Sequence, residues 1–270
     1  LVKKTVDTSW IKENIKRSQK NRHNESNIFI ETSEPLYGEK VDLPIDPYLL
    51  GCWLGDGNVT LGRDCAITIG DSELLEKIEE TIDNGLSLKL STVYDKRTPS
   101  YRITRKNAPG SRKTPSFFER IDNLGLGESK SYSKFVPEIY LNSDVNSRLS
   151  ILQGLLDTDG TVDKVGNITF SSASKTLSNN VIDLVRSLGG KASTFTKKIK
   201  GYRDSFMVYL FLPNNLPPFK LSRKLERVKP KKDRYFRTSV LSVEYIGEQD
   251  CQCIMVDNPN HLYITDDYMI

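Results

Sequence analysis

The chain has 270 residues, 37% of them hydrophobic, and 39 Lys+Arg against 35 Asp+Glu give a formal net charge of +4. This composition lies outside the disordered class, the length suits one large or two small domains, and no run of 18 apolar residues could span a membrane as a helix. Four cysteines (Cys52, Cys65, Cys251, Cys253) without CxxC spacing, and two histidines (His23, His261), argue against a disulfide scaffold, a zinc module and a Ser-His-Asp hydrolase. Carboxylates must carry any metal chemistry.

The opening stretch LVKKTVDTSW lacks the apolar core of a secretory signal. The basic residues Lys12, Lys16, Arg17, Lys20 and Arg22 that follow read either as phosphate contacts or as the solvated face of a helix. From Pro47 the chain then says the same thing twice, at a period of about one hundred residues. PYLLGCWLGDGNVT is followed by an apolar run at Ala66–Ile69, and then by a helical pattern of Leu74, Leu75, Ile78 and Ile82 with Ser72 as N-cap. Strands are predicted at 87–94 and 100–104, and a further helix near 116–124. RLSILQGLLDTDGTVD opens the second copy, followed by a strand at 167–170 and a helix through Leu177, Val181, Leu184, Val185 and Leu188. Strands near 192–196 and 206–212 complete it. A repeat this long implies duplication of an α+β half rather than a solenoid.

Charge follows the repeat. Residues 191–237 hold fourteen Lys/Arg and three acids, a net +11, while residues 95–120 hold eight Lys/Arg and two acids, a net +6. After Leu241 there are six acids and no Lys or Arg. Either basic block alone would also read as a solvated face; falling on equivalent strand pairs, interleaved with Tyr and Phe, they fit a surface that tracks a phosphate backbone.

Each copy opens on an apolar helix ending in Asp-Gly: LLGCWLGDG at 49–57 and LQGLLDTDG at 152–160. Gly57 and Gly160 suit a left-handed C-cap. Gly51 with Gly55, and Gly154 with Thr158, place small residues four apart, which lets two helix backbones approach closely. Packed on each other, the two helices would bring Asp56 and Asp159 side by side at the negative ends of two helix dipoles. Such an arrangement calls for a hard cation with oxygen ligands, which points to Mg²⁺.

On these motifs the chain resembles the two-motif, single-chain LAGLIDADG homing endonucleases carried inside inteins, over roughly residues 43–237. Asp56 and Asp159 fall on the acidic eighth position of the nine-residue motif; Leu54 departs from it, whereas Asp157 keeps the earlier acid. The resemblance implies two pseudo-symmetric αββαββ(α) halves of an α+β fold, packed through the motif helices. It also implies hydrolysis of both strands of a long double-stranded DNA site by a monomer, with Mg²⁺ held by Asp56 and Asp159. One assisting lysine per half follows: Lys134 in the K-x-x-P-like context SYSKFVPEIYL, and Lys224 in LSRKLER with Lys220 as the alternative. Saddle-shaped sheets over the major groove would carry Arg97, Arg102, Arg105, Lys197, Lys198, Lys200 and Arg203.

The C-terminal segment CQCIMVDNPNHLYITDDYMI reads as a hairpin with its turn at 257–260 and is similar to a block of intein splicing (Hint) domains, where Cys253 and His261 would serve splicing. The implied organisation is a connection at 1–41, endonuclease halves at 42–146 and 147–237, and splicing-domain strands at 238–270. Splicing is not expected from this chain alone, since it shows neither an N-terminal nucleophile, nor a Thr-x-x-His block, nor a terminal His-Asn; the missing N-terminal part of the splicing domain would be a partner. Other readings are a LAGLIDADG maturase or degenerate endonuclease that binds nucleic acid without cutting, and a splicing element with an inert insertion. An intracellular location, wherever the host protein resides, completes the expectation.

Overall fold

The computed structural model describes residues 4–16, 26–60, 62–83, 85–91, 98–106, 114–232, 236–250, 255–257, 263–265 and 268. Two compact units result: Leu1–Glu34 with Lys232–Ile270, and Pro35–Lys231. In the first, Asp7 caps α1 (Thr8–Asn14) and β1 (Phe29–Glu31) pairs antiparallel with Arg237–Ser239. Cys253 and His261, like Arg17, Lys20 and Arg22, lie outside the described residues, and the described parts of the predicted hairpin, 255–257 and 263–265, are in no strand. The second unit starts at Pro35. Leu36 is tied into it, its N–H donating to the Ser187 carbonyl at 2.8 Å and its own carbonyl accepting from the buried Arg148. It ends at Lys231, because Arg237–Ser239 belongs to the other unit's sheet.

The larger unit is the repeat made solid. Its first half runs α2 (Pro47–Asp56), β2 (Gly57–Val59), β3 (Cys65–Thr68), α3 (Ser72–Thr81), β4 (Leu86–Leu90) and β5 (Ser100–Arg105), followed by α4 (Phe117–Asn123) and α5 (Glu138–Leu141). The second runs α6 (Val145–Asp159), β6 (Gly160–Val162), β7 (Ile168–Ser172), α7 (Lys175–Ser187), β8 (Lys191–Lys197) and β9 (Ser205–Phe211), then α8 (Ser222–Leu225) and, in the other unit, β10 (Arg237–Ser239). Each half forms a four-stranded antiparallel sheet of the same topology, β2-β3-β5-β4 and β6-β7-β9-β8. The fold is therefore α+β, in two αββαββ halves.

Local chemistry accounts for the elements. Asp46 and Asp144 cap α2 and α6, each accepting from the N–H groups of the second and third helical residues, and Pro47 pre-sets the first turn of α2. A capping box of Ser116 and Glu119 starts α4. The predicted cap Ser72 is instead the first helical residue of α3; its neighbour Asp71 caps, the carboxylate accepting from Glu73 N–H at 2.9 Å. Strand alternation turns Cys65, Ile67, Ile103 and Leu86 inward in one half and Ile168, Phe170, Val208 and Leu210 inward in the other.

α2 and α6 run through the centre, buried on nearly every side from Tyr48 to Leu54 and from Ile151 to Asp157. Small residues set their distance. A Cβ on Gly51 would stand 2.3 Å from the Ile151 carbonyl oxygen, and one on Gly154 would stand 2.4 Å from that of Tyr48. One on Gly55 would meet Thr158 Oγ1 at 2.0 Å. These obstacles at Gly51 and Gly154 are backbone, which cannot step aside without separating the helices.

Gly154→Ala should therefore lower unfolding stability by about 2–3 kcal/mol, an overpacking cost, in urea denaturation. Gly62→Ala, with nothing within 4 Å of its Cβ, should stay within about 0.5 kcal/mol of the parent.

Candidate active site

The close helix crossing brings the C-terminal ends of α2 and α6 together. Asp159 Oδ2 lies 3.4 Å from the place a Cβ would take on Gly55, the residue before Asp56. Asp56 is exposed and Asp159 half-buried. Burial, and then the nearby Asp56 charge, push the Asp159 carboxyl up to about 6; although Asp56 as a residue is exposed, desolvation of its carboxyl by the surrounding protein raises it too, and Lys134 and Lys224 partly offset both shifts. Two hard carboxylates that repel each other at one spot are a donor set for a divalent cation. No third His, Cys, Asp or Glu joins them among the described residues.

Gly57 and Gly160 do not adopt the left-handed cap read from the sequence. Both are extended, with φ of −90° and −88°. Glycine is needed for space instead: a Cβ on Gly57 would stand 2.4 Å from the Trp53 carbonyl oxygen, and one on Gly160 2.4 Å from that of Leu156. The helix-terminal carbonyls are satisfied by lysine. Lys134 Nζ donates to the carbonyls of Trp53 (3.1 Å), Leu54 (2.9 Å) and Gly57 (2.6 Å). Lys224 Nζ donates to those of Leu156 (2.9 Å), Asp157 (2.7 Å) and Gly160 (2.7 Å), the same three positions one repeat later. Both lysines are buried, which pushes the Lys134 amine down to about 8 and lowers that of Lys224, while the aspartates pull both back up. Each cation also faces the negative end of a helix dipole.

Lys220, the alternative to Lys224, is elsewhere. Its Nζ sits 4.2 Å over the Tyr48 ring and its backbone N–H donates to Asp157 Oδ2 at 3.0 Å. Asp157, which the sequence analysis left without a task, is a buried latch. Oδ2 also accepts from the Tyr48 hydroxyl at 2.8 Å, and Oδ1 accepts from the Leu221 N–H at 3.3 Å. One carboxylate thus fastens α6 to α2 and to the segment leading into Lys224.

The basic residues divide. Arg102 is exposed on the outer face of the first sheet, opposite Lys89, a residue the sequence analysis passed over although it alternates with inward Leu88. Arg105 lies in phase with inward Ile103, and its guanidinium donates to the Thr114 carbonyl (2.9 Å) and pairs with Glu119. In the second half Lys197 ends β8, Lys198 and Lys200 are exposed after it, and Arg203 lies 3.8 Å over the Tyr132 ring. The outer face there is hydroxyl and aromatic, with Thr169, Tyr209 and Ser193 in one row and Phe195 stacked on Tyr209 at 5.5 Å. Arg97 lies outside the described residues.

Glycine-crossed helices that end in juxtaposed aspartates, each leading into a four-stranded sheet, form the centre of the larger unit. Residues 146–235 match the LAGLIDADG-like domain family. Over 242 residues, 85% of its length, the chain is 29% identical to the replicative DNA helicase DnaB of Mycobacterium intracellulare, of which it covers 36%. Over 171 residues, 57% of its length, it is 26% identical to the homothallic switching endonuclease of Saccharomyces cerevisiae, of which it covers 28%. The chain thus spans about a third of these relatives. The crystal structure of I-DmoI in complex with DNA and Mn aligns with 62% of this chain and 89% of its own, at 16% identity and a TM-score of 0.41. No helix among the described residues is long and apolar enough to cross a membrane.

The raised Asp159 carboxyl has a thermodynamic signature. Its folded form holds a proton more tightly than the unfolded chain does, so its contribution is full below about pH 4 and is lost as pH rises through about 6. Without divalent ions the parent should lose about 2 kcal/mol relative to Asp159→Asn across that window in urea titrations.

Proposed function

We propose that this chain is a site-specific double-stranded DNA endonuclease of the two-motif LAGLIDADG kind, acting as a monomer and dependent on a divalent cation, with Mg²⁺ the assigned ion. The observation that carries this reading is the pairing of Asp56 and Asp159 at the crossed helix ends, each end neutralised by a buried lysine. Asp56 and Asp159 would hold the ion, which when bound supplies a Lewis acid and a water of lowered pKa at the scissile phosphate. The residues of the chain supply the setting. Lys134 and Lys224 spend all three ammonium protons on carbonyls, so they act by fixed positive charge behind the aspartates rather than by donating to the phosphate. The outer sheet faces, with Lys89 and Arg102 on one and Thr169, Ser193 and Tyr209 on the other, suit groove contacts, and the exposed Lys197, Lys198 and Lys200 suit phosphates.

The finer reading is that the endonuclease is an insertion of the intein kind in a longer host protein. Two features support it. The chain is similar to about a third of a protein named as a helicase, yet its sequence contains no G-x-x-x-x-G-K-[ST] phosphate loop of its own. Residues 238–270 read as splicing-domain strands, with Cys253 and His261 assigned to splicing. The halves are assigned to 42–146 and 147–237, with 1–41 connecting them to that domain.

A plasmid carrying an uninterrupted mycobacterial replicative-helicase gene should be linearised by the chain with Mg²⁺ and left whole with EDTA. Asp56→Asn and Asp159→Asn should each slow cutting at least ~100-fold. Tight binding with no cutting in either Mg²⁺ or Mn²⁺ would replace this reading by the binding-only one. In filter-binding titrations, Lys89→Gln and Arg102→Gln should each reduce the slope of log affinity against log salt by about 1. Arg105→Gln should leave the slope unchanged and lower the melting temperature.

A further inference from the structure

The two lysines are held in a crossed manner. Lys224 belongs to the second half, yet the residues just before it are gripped by the first. The Glu73 carboxylate in α3 accepts from the Ser222 N–H and hydroxyl, both at 2.8 Å, and Asp71 accepts from Arg223 Nε at 2.5 Å. Lys134 belongs to the first half and is gripped by the second. The buried Ser174 hydroxyl at the start of α7 donates to the Lys134 carbonyl at 2.6 Å, and Asn180 Oδ1 accepts from the Val136 N–H at 2.9 Å. Equivalent helices in the repeat thus perform the same task for the opposite motif. One grip is ionic and partly exposed, the other neutral, with Ser174 buried and Asn180 half-buried.

We infer that Asp71 and Glu73 are positioning residues for Lys224, and Ser174 and Asn180 for Lys134, so that each half's motif end is set by the other half. Without its grip, α8 is a four-residue helix with no side-chain cap, held at its entry by Asp157 through the Lys220 and Leu221 N–H groups but no longer fixed at Ser222 and Arg223, the residues next to Lys224. The consequence for cutting rests on the nuclease reading. Damage to the first half should then slow the strand served by the second, and the reverse, whereas a general loss of stability would slow both.

Two measurements on the full chain decide this. In the first, amine acetylation followed by mass spectrometry compares the labelling of Lys224 with that of Lys134. Asp71→Asn/Glu73→Ala, in which Asn still caps α3, should raise Lys224 labelling about tenfold and leave Lys134 unchanged, the scale of one lost charge-assisted hydrogen bond. Asn180→Ala should do the converse. In the second, strand-resolved cutting of end-labelled target assigns each strand to a lysine through Lys134→Met and Lys224→Met. Asp71→Asn/Glu73→Ala should slow the Lys224 strand about tenfold and accumulate nicked DNA. Unchanged Lys224 labelling, or equal slowing of both strands, overturns the inference. Should the parent cut no DNA, the nuclease reading fails on its own and the labelling comparison still decides the positioning.

Discussion

The close approach of α2 and α6 is the constraint on which everything else in the larger unit rests. Gly51 and Gly154 remove the side chains that would hold the backbones apart, and Gly55 against Thr158 carries the contact to the helix ends. With the axes this near, the two C-termini must coincide, and so must the residues placed there. The crowding of Asp56 and Asp159 follows from the crossing rather than from any independent attraction, and the raised Asp159 carboxyl records first its burial there and then the charge of Asp56 beside it. A wider crossing would relax the carboxylates and dissolve the site.

Such a meeting of negative dipole ends and carboxylates needs compensation from within the protein. Lys134 and Lys224 supply it from outside the motif helices, each reaching three carbonyls at a helix end that a glycine leaves uncovered. Burial of an ammonium is tolerated here because every proton is bonded and the surrounding charge is negative. Asp157 solves a related problem in one half only. Its equivalent one repeat earlier is Leu54, and the equivalent of its partner Tyr48 is Ile151, so the duplicated frame carries a polar latch on one side and apolar residues on the other.

The sheets show how one repeat came to carry two surfaces. Arg102 with Lys89 gives the first outer face positive charge, while Tyr209, Phe195 and neighbouring hydroxyls give the second hydrogen-bonding and stacking groups, with charge gathered at the end of β8 and after it. Two unlike faces therefore stand on a common frame.

Much of this was legible in the amino-acid order. The doubled helix-Asp-Gly motif, the small residues four apart and the alternating strands specified two α+β halves, because periodicity and small-residue spacing are local properties of the chain. Strand parity likewise places Arg105 in phase with Ile103 and Arg102 on the opposite face. What only tertiary structure decided were relations between distant segments. These are the bonding of Lys224, rather than Lys220, to the α6 carbonyls, the extended rather than left-handed Gly57 and Gly160, the latch at Asp157, and the crossed grips on the lysines. Each depends on which carbonyl or carboxylate lies within about 3 Å after folding, a distance that no pattern along the chain encodes.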